Sequence, residues 1–185
     1  MNKKGVLTVV SGFSGAGKGT LMKAIVEKYA YALSISATTR SPRAGEEHGR
    51  EYYFLTKQEF ESMIEKDQLI EWAKYVDNYY GTPKFYVEKL LDEGKNVVLE
   101  IEVQGALQVM ARCPDALTIF LVPPSFEELE RRIRGRRTEA EDVVRERLDK
   151  ASKEIATKDE YKYVVENDDV LAAKEHIAKI IKENS

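Results

Sequence analysis

Residues 6–20 read VLTVVSGFSGAGKGT, a short apolar run set directly against a glycine-rich turn that ends in Lys18, Gly19 and Thr20. No other stretch constrains the chain as tightly, because it demands a buried strand, a tight loop and a helix start in that order. Gly12, Gly15 and Gly17, with Ser14 and Ala16 between them, let the backbone turn sharply and aim successive N–H groups at one point. The helical pattern Leu21, Met22, Ile25, Val26, Tyr29 then presents its positive N-terminal end to the same point, and Lys18 can reach outer phosphates. Thr20 comes one place later than the hydroxyl of the usual spacing, because Gly19 intervenes. These residues imply a nucleoside triphosphate; the competing reading is a glycine-rich turn that binds nothing.

Bulk properties narrow the class. With 185 residues and 43% hydrophobic composition, the chain can bury a single core. Its net charge of -3, from 29 basic and 32 acidic residues, supplies no global field for polymeric nucleic acid or an anionic membrane. The lone Cys113 excludes an internal disulfide, and no apolar run approaches the ~18 residues of a spanning helix. The start, MNKKGVLTVV, lacks a secretory leader, so a cytoplasmic location is expected.

Strand and helix patterns alternate along the chain, which predicts an α/β fold: a parallel sheet with helices on both faces. One stretch breaks the rhythm. After a strand near residues 33–36, residues 37–82 carry turn signals, charges and aromatics, with a short helix over about 57–67, and read as a β-rich insertion. Thr82 and Pro83 are expected as N-cap and first residue of a helix that Gly94 ends. Residues 96–102 read as a buried strand whose Glu100 and Glu102, two apart, face one region at its C-terminal end. Such carboxylates can hold magnesium or accept a substrate hydrogen bond, or be merely exposed strand-end charges.

A strand is expected over Leu117–Val122, and then a helix that ends among Arg131, Arg132, Arg134, Arg136 and Arg137. A solvated face, a nucleic-acid patch and a phosphate-binding lid all fit that cluster. The Gly135 break and a following helix bearing Arg145 and Arg147 favour the lid, since several guanidinium groups can neutralise the charge spread over a transferring phosphoryl group. The mixture over 139–158 reads as a long solvated helix with pairs such as Glu146 with Lys150.

Six strings, SGFSGAGKGT, SATTRSPRAGEEHGREYYF, IEWAKYVDNYYGT, VVLEIEVQG, IFLVPPS and YVVEND, stand in the order and close to the spacing of a guanylate kinase. The resemblance covers nearly the whole chain. It implies an ATP:GMP phosphotransferase with the nucleoside-monophosphate kinase fold: a P-loop parallel sheet over about 1–36, 83–130 and 158–185, a GMP-binding insertion over about 37–82 and a helical lid over about 131–157. Lys18 then resembles the P-loop lysine, with Gly12, Ser14, Gly15, Ala16, Gly17, Gly19 and Thr20 around the phosphates and Thr20 on Mg2+. Arg40, Arg43, Tyr52 and Tyr80 match the clamp on the GMP phosphate, and Ser36, Glu71 and Thr82 match the guanine contacts. Glu100 and Glu102 lie where carboxylates reach magnesium or the nucleoside, Arg132, Arg136 and Arg147 match lid arginines, and Asn167 matches the loop against adenine. The implied ligands are ATP, Mg2+ and GMP or dGMP, with no polymeric nucleic acid and no membrane partner; a homo-oligomer stays open.

Base chemistry supports the acceptor assignment. Guanine offers N1–H and a 2-amino group as donors and O6 as acceptor, so Glu71 can accept twice while a hydroxyl donates to O6. Adenine would turn an acceptor nitrogen toward that carboxylate. Three departures stand out: Phe13 where many relatives have proline, Arg137 in place of a lid glycine, and glutamates at 100 and 102 where many carry aspartates. A domain of this family that has lost catalysis and docks protein partners is the alternative class, which the intact GAGKGT loop disfavours, and a kinase for another base is the rival within enzymes.

Overall fold

The computed structural model describes residues 4–13, 15–75, 77–135 and 141–185. In chain order the elements are β1 (Leu7–Ser11), α1 (Lys18–Tyr29), β2 (Ala32–Leu33), β3 (Ser36–Thr38), β4 (Tyr52–Phe54), α2 (Lys57–Glu65), β5 (Leu69–Tyr75), β6 (Asn78–Pro83), α3 (Lys84–Asp92), β7 (Val97–Glu100), α4 (Val103–Arg112), β8 (Leu117–Val122), α5 (Phe126–Gly135), α6 (Glu141–Glu154), β9 (Tyr163–Glu166) and α7 (Val170–Glu183). A 3-10 turn over Ile155–Glu160 joins α6 to β9.

Among the described residues the strands form two sheets. The first has the order β2-β7-β1-β8-β9 and is parallel throughout, as the alternating pattern predicts. Its central strands are apolar on both faces, because helices cover both: Val9, Val10, Val97, Val98, Leu99, Ile119, Phe120 and Leu121 are fully buried. Phe13, the departure in the glycine-rich loop, is buried edge-on against Phe120 with ring centroids 5.9 Å apart, so it anchors the loop to the core.

The second sheet, β4-β3-β6-β5, takes its strands from within residues 36–83, with α2 packed on it through Phe60. The single strand expected near 33–36 is in fact two: Ala32–Leu33 pairs with β7, while Ser36–Thr38 belongs to the second sheet. The helix expected to start at Pro83 starts at Lys84, with Pro83 as its cap, because Thr82 is held in β6 opposite Glu71. The acidic strand also stops early. β7 ends at Glu100, and Glu102 is the N-cap of α4, whose carbonyl accepts from Ala106 N–H at 3.0 Å. None of the described helices is long and apolar enough to cross a membrane.

Candidate active site

The carboxyl ends of β1, β7 and β8 open onto one region, as the strand-end rule for open α/β sheets requires. After Ser11 the chain turns through the glycine-rich loop into α1. Gly17 caps that helix at φ 87°, with no side-chain cap hydrogen bond among the described residues. A Cβ at Gly17 would lie 2.5 Å from Asn167 Nδ2, so the position tolerates neither the conformation nor the bulk of another residue. The Lys18 ammonium folds back, donating to the carbonyls of Gly12 and, at 3.4 Å, Phe13.

Asn167, at the end of β9, is buried and serves the loop from behind. Its Nδ2 donates to Ala16 O at 2.8 Å and its backbone N–H to Val122 O at 2.8 Å, which leaves Oδ1 buried without a hydrogen-bond partner among the described residues. Arg132 on α5 donates to the Asn167 carbonyl at 3.0 Å and to Glu128 at 2.7 Å. Together with Gly15, Gly17, Thr20, Asp168 and Val170, these two residues line a crevice of about 300 Å³ beside the loop.

A larger cavity of about 890 Å³ brings together Lys18, Ser36, Tyr52, Glu71, Tyr80, Glu100, Glu102 and Arg147. Glu71 is its most constrained member. It is 6% exposed and accepts from Thr82 Oγ1 at 2.6 Å. Gly105 on α4 leaves it room, for a Cβ there would come within 2.6 Å of Glu71 Oε2. Burial pushes the Glu71 carboxyl above its ordinary value, against the lowering effect of the Thr82 bond. Thr82 therefore stands behind Glu71, its hydroxyl committed to that carboxylate.

The expected phosphate clamp is half assembled. Tyr52 and Tyr80 line the cavity with rings 6.3 Å apart, edge to face. Arg40 and Arg43 stand outside the cavity lining. Arg40 lies over the Tyr52 ring at 5.5 Å and pairs with Glu46 at 3.0 Å, while Arg43 is exposed and gives its backbone N–H to Glu46 at 2.7 Å. Burial raises the Tyr52 phenol above its ordinary value, opposed by Arg40.

Glu100 and Glu102 do face one cavity, although a helix cap rather than a continuous strand places the second. Burial raises the Glu100 carboxyl, partly countered by Lys18. Glu100 Oε1 comes within 3.6 Å of where a Cβ on Gly19 would lie, one residue from Thr20. Among the described residues no group of three or more His, Cys, Asp or Glu could hold a metal ion. A hydroxyl and one carboxylate at a phosphate cradle nevertheless fit Mg2+, which keeps most of its ligands as phosphate oxygens and water.

The helix read as solvated is instead part of the site. Val143, Glu146, Arg147, Lys150 and Glu154, one stripe of α6, all line the larger cavity. The expected Glu146 pairing gives way to contacts of Lys150 Nζ with Glu102 Oε2 at 3.0 Å and Glu154 Oε1 at 3.5 Å. The spacing of 143, 147, 150 and 154 carries the helical period that could have revealed this face, but only Val143 on it is apolar. Gln104, Gly105 and Asp168 were also missed, none bearing a signal beyond proximity to a motif. Ser14, Arg136 and Arg137 lie outside the described residues.

Comparison with known proteins places this geometry among relatives. The family model described as guanylate kinase matches residues 4–184. A guanylate kinase of Caldanaerobacter subterraneus subsp. tengcongensis is 53% identical over 182 residues, covering 98% of this chain and 88% of the relative. One of Lactococcus lactis is 51% identical over 183 residues, covering 98% and 89%. The crystal structure of guanylate kinase from Anaplasma phagocytophilum superposes with a TM-score of 0.76 at 32% identity, covering 98% of this chain and 86% of that one.

Proposed function

The chain belongs to the guanylate kinase family, and from that premise we propose how its residues share the transfer of the γ-phosphoryl group of ATP to GMP. The enzyme is a nucleoside-monophosphate kinase, and the products are ADP and GDP. The 300 Å³ crevice beside the glycine-rich loop takes the donor and the 890 Å³ cavity takes the acceptor, with Lys18 in the lining of the second and its neighbours Gly17 and Thr20 in that of the first. The buried Glu71–Thr82 pair carries this reading, because a desolvated carboxylate with its partner hydroxyl already engaged is an acceptor for two donors on one base edge.

Gly12, Ser14, Gly15, Ala16, Gly17 and Gly19 would cradle the ATP phosphates through the backbone, with Lys18 on the outer ones and Arg132 and Asn167 along the crevice wall. Thr20 and Glu100 would hold Mg2+, which would supply Lewis-acid stabilisation of the phosphate charge. Ser36 and Glu71 would read guanine, with Thr82 fixing Glu71 and Glu102 on the nucleoside side. Tyr52, Tyr80, Arg40 and Arg43 would hold the GMP phosphate once Arg40 exchanges Glu46 for it. Arg147, and Arg136 beyond the described residues, would neutralise the transferring group. The GMP phosphate oxygen is already an anionic nucleophile at neutral pH, so no general base is required; alignment and charge stabilisation suffice. The division into a core, an acceptor-binding insertion over about 37–82 and a lid over about 131–157 accords with the separate second sheet and with the α6 stripe over the cavity.

Calorimetric binding of GMP and of a non-hydrolysable ATP analogue tests this division. Lys18→Ala should lose the ATP analogue and keep GMP, and Arg43→Ala should do the reverse by about tenfold, the worth of one charge-assisted bond. Loss of the same ligand in both variants would refute it.

A further inference from the structure

Glu102 divides its two oxygens between two ammonium groups. Oε2 accepts from Lys150 Nζ at 3.0 Å, whereas Oε1 stays 4.0 Å from Lys18 Nζ, outside hydrogen-bond range. Lys150 in turn lies 3.5 Å from Glu154 Oε1, and Glu154 Oε2 is buried without a hydrogen-bond partner among the described residues. Charges thus alternate from the loop to α6: Lys18, Glu102, Lys150, Glu154. The Glu102 side chain is 57% exposed and has three torsions, so its carboxylate is positioned by its partners rather than by packing.

We propose that Lys150 is a positioning residue that holds Glu102 off Lys18 and so keeps the Lys18 ammonium available to the donor phosphates. The inference rests on the assignment of Lys18 to those phosphates. Without the Lys150 charge, the cation that the described residues still bring within 4.0 Å of Glu102 is Lys18, already at the edge of ion-pair distance. A Lys18–Glu102 pair would then have to break each time ATP binds. Water screens the exposed Glu102 carboxylate, although the Lys18 side chain is only 11% exposed, so the effect is moderate and falls on donor affinity rather than on the chemical step. Lys150 sits on α6 in the stripe that lines the acceptor cavity, which ties the donor lysine to the placement of that helix.

Steady-state ADP formation by the full chain, varying Mg-ATP at saturating GMP and GMP at saturating Mg-ATP, tests the proposal. The variants are Lys150→Met, Lys150→Gln and Lys150→Arg, each in the wild-type and Glu102→Gln backgrounds, with thermal melting to confirm folding. Both neutral variants should raise the KM for ATP about fivefold with kcat within about twofold, and raise the KM for GMP, whose nucleoside side Glu102 serves, by less than that. Lys150→Arg should restore the wild-type value, and in Glu102→Gln the neutral variants should add less than about twofold, since the group they release is gone. An unchanged KM for ATP, a loss confined to kcat or to GMP, or a full effect persisting in Glu102→Gln would overturn the proposal. Lys18→Ala, run alongside, separates the two claims: near-normal turnover there removes the premise, whereas collapsed turnover beside indifferent Lys150 variants removes only the role of Lys150.

Discussion

Replacing Glu71 by Gln should weaken acceptor use while making the protein more stable. The wild-type carboxyl is 6% exposed, takes one donor from Thr82 at 2.6 Å and is raised by burial above its ordinary 4.5. A carboxyl whose folded pKa lies above its unfolded value favours the protonated form in the fold. Stability is therefore greatest below the ordinary pKa and declines as pH rises through the raised one. At neutral pH the wild type carries that desolvation cost in full, and the isosteric amide does not. Each 1 kcal/mol recovered appears as about 2–4 °C in a chain of this length, so calorimetry should find Glu71→Gln melting a few degrees higher at pH 7. The gap should close as pH falls toward 4.5. Activity moves the other way. Guanine presents two donors to this site, each worth about 1.5–3 kcal/mol against a charged acceptor, and the amide offers one neutral oxygen and an opposing NH2. The kcat/KM for GMP should drop about 10²-fold or more. A variant that melts no higher at pH 7, or that uses GMP within threefold of wild type, refutes the reasoning.

Two further substitutions probe the same construction. Gly105→Ala puts a methyl group 2.6 Å from Glu71 Oε2, which overpacks the site at a cost of about 1–3 kcal/mol. It should raise the KM for GMP at least tenfold and leave that for ATP unchanged in initial-rate assays. Asn167→Asp sets a carboxylate oxygen against the Ala16 carbonyl that Nδ2 now meets at 2.8 Å, so the melting temperature should fall by several degrees and the KM for ATP should rise; unchanged values would contradict the buttress role.

How far the sequence carries the structure depends on where a residue's partners lie in the chain. The parallel sheet was legible because its strands are apolar on both faces and its loop needs glycines at fixed places; the strand Leu117–Val122 occurs with the bounds its composition predicts. Errors came where tertiary contacts override local grammar. Thr82 followed by Pro83 has the chemistry of a helix start, yet pairing with Glu71 across β5 and β6 keeps Thr82 in the strand. Glu102 continues an apolar run but caps a helix. Lys150 has a helix neighbour of opposite charge four residues away at Glu146, and only the folded chain offers it Glu102, 48 residues distant, instead. Of the α6 stripe only Arg147 was legible, for the same reason, since a charged face reads as solvated until the cavity it borders is known. Arg40 and Arg43 show the converse: the loop that carries them was legible, and their engagement with Glu46 was not.

Whether the Glu71 cavity selects guanine as phosphoryl acceptor beside a Lys18-bearing donor loop is decided by ADP formation from Mg-ATP. The assay would compare GMP, dGMP, IMP, AMP, UMP, CMP and dTMP at equal concentration. Turnover is expected with the guanine nucleotides, with a marked loss for IMP, which lacks the 2-amino donor, and none above background for the rest. Turnover with AMP or a pyrimidine nucleotide comparable to that with GMP would contradict guanine selection.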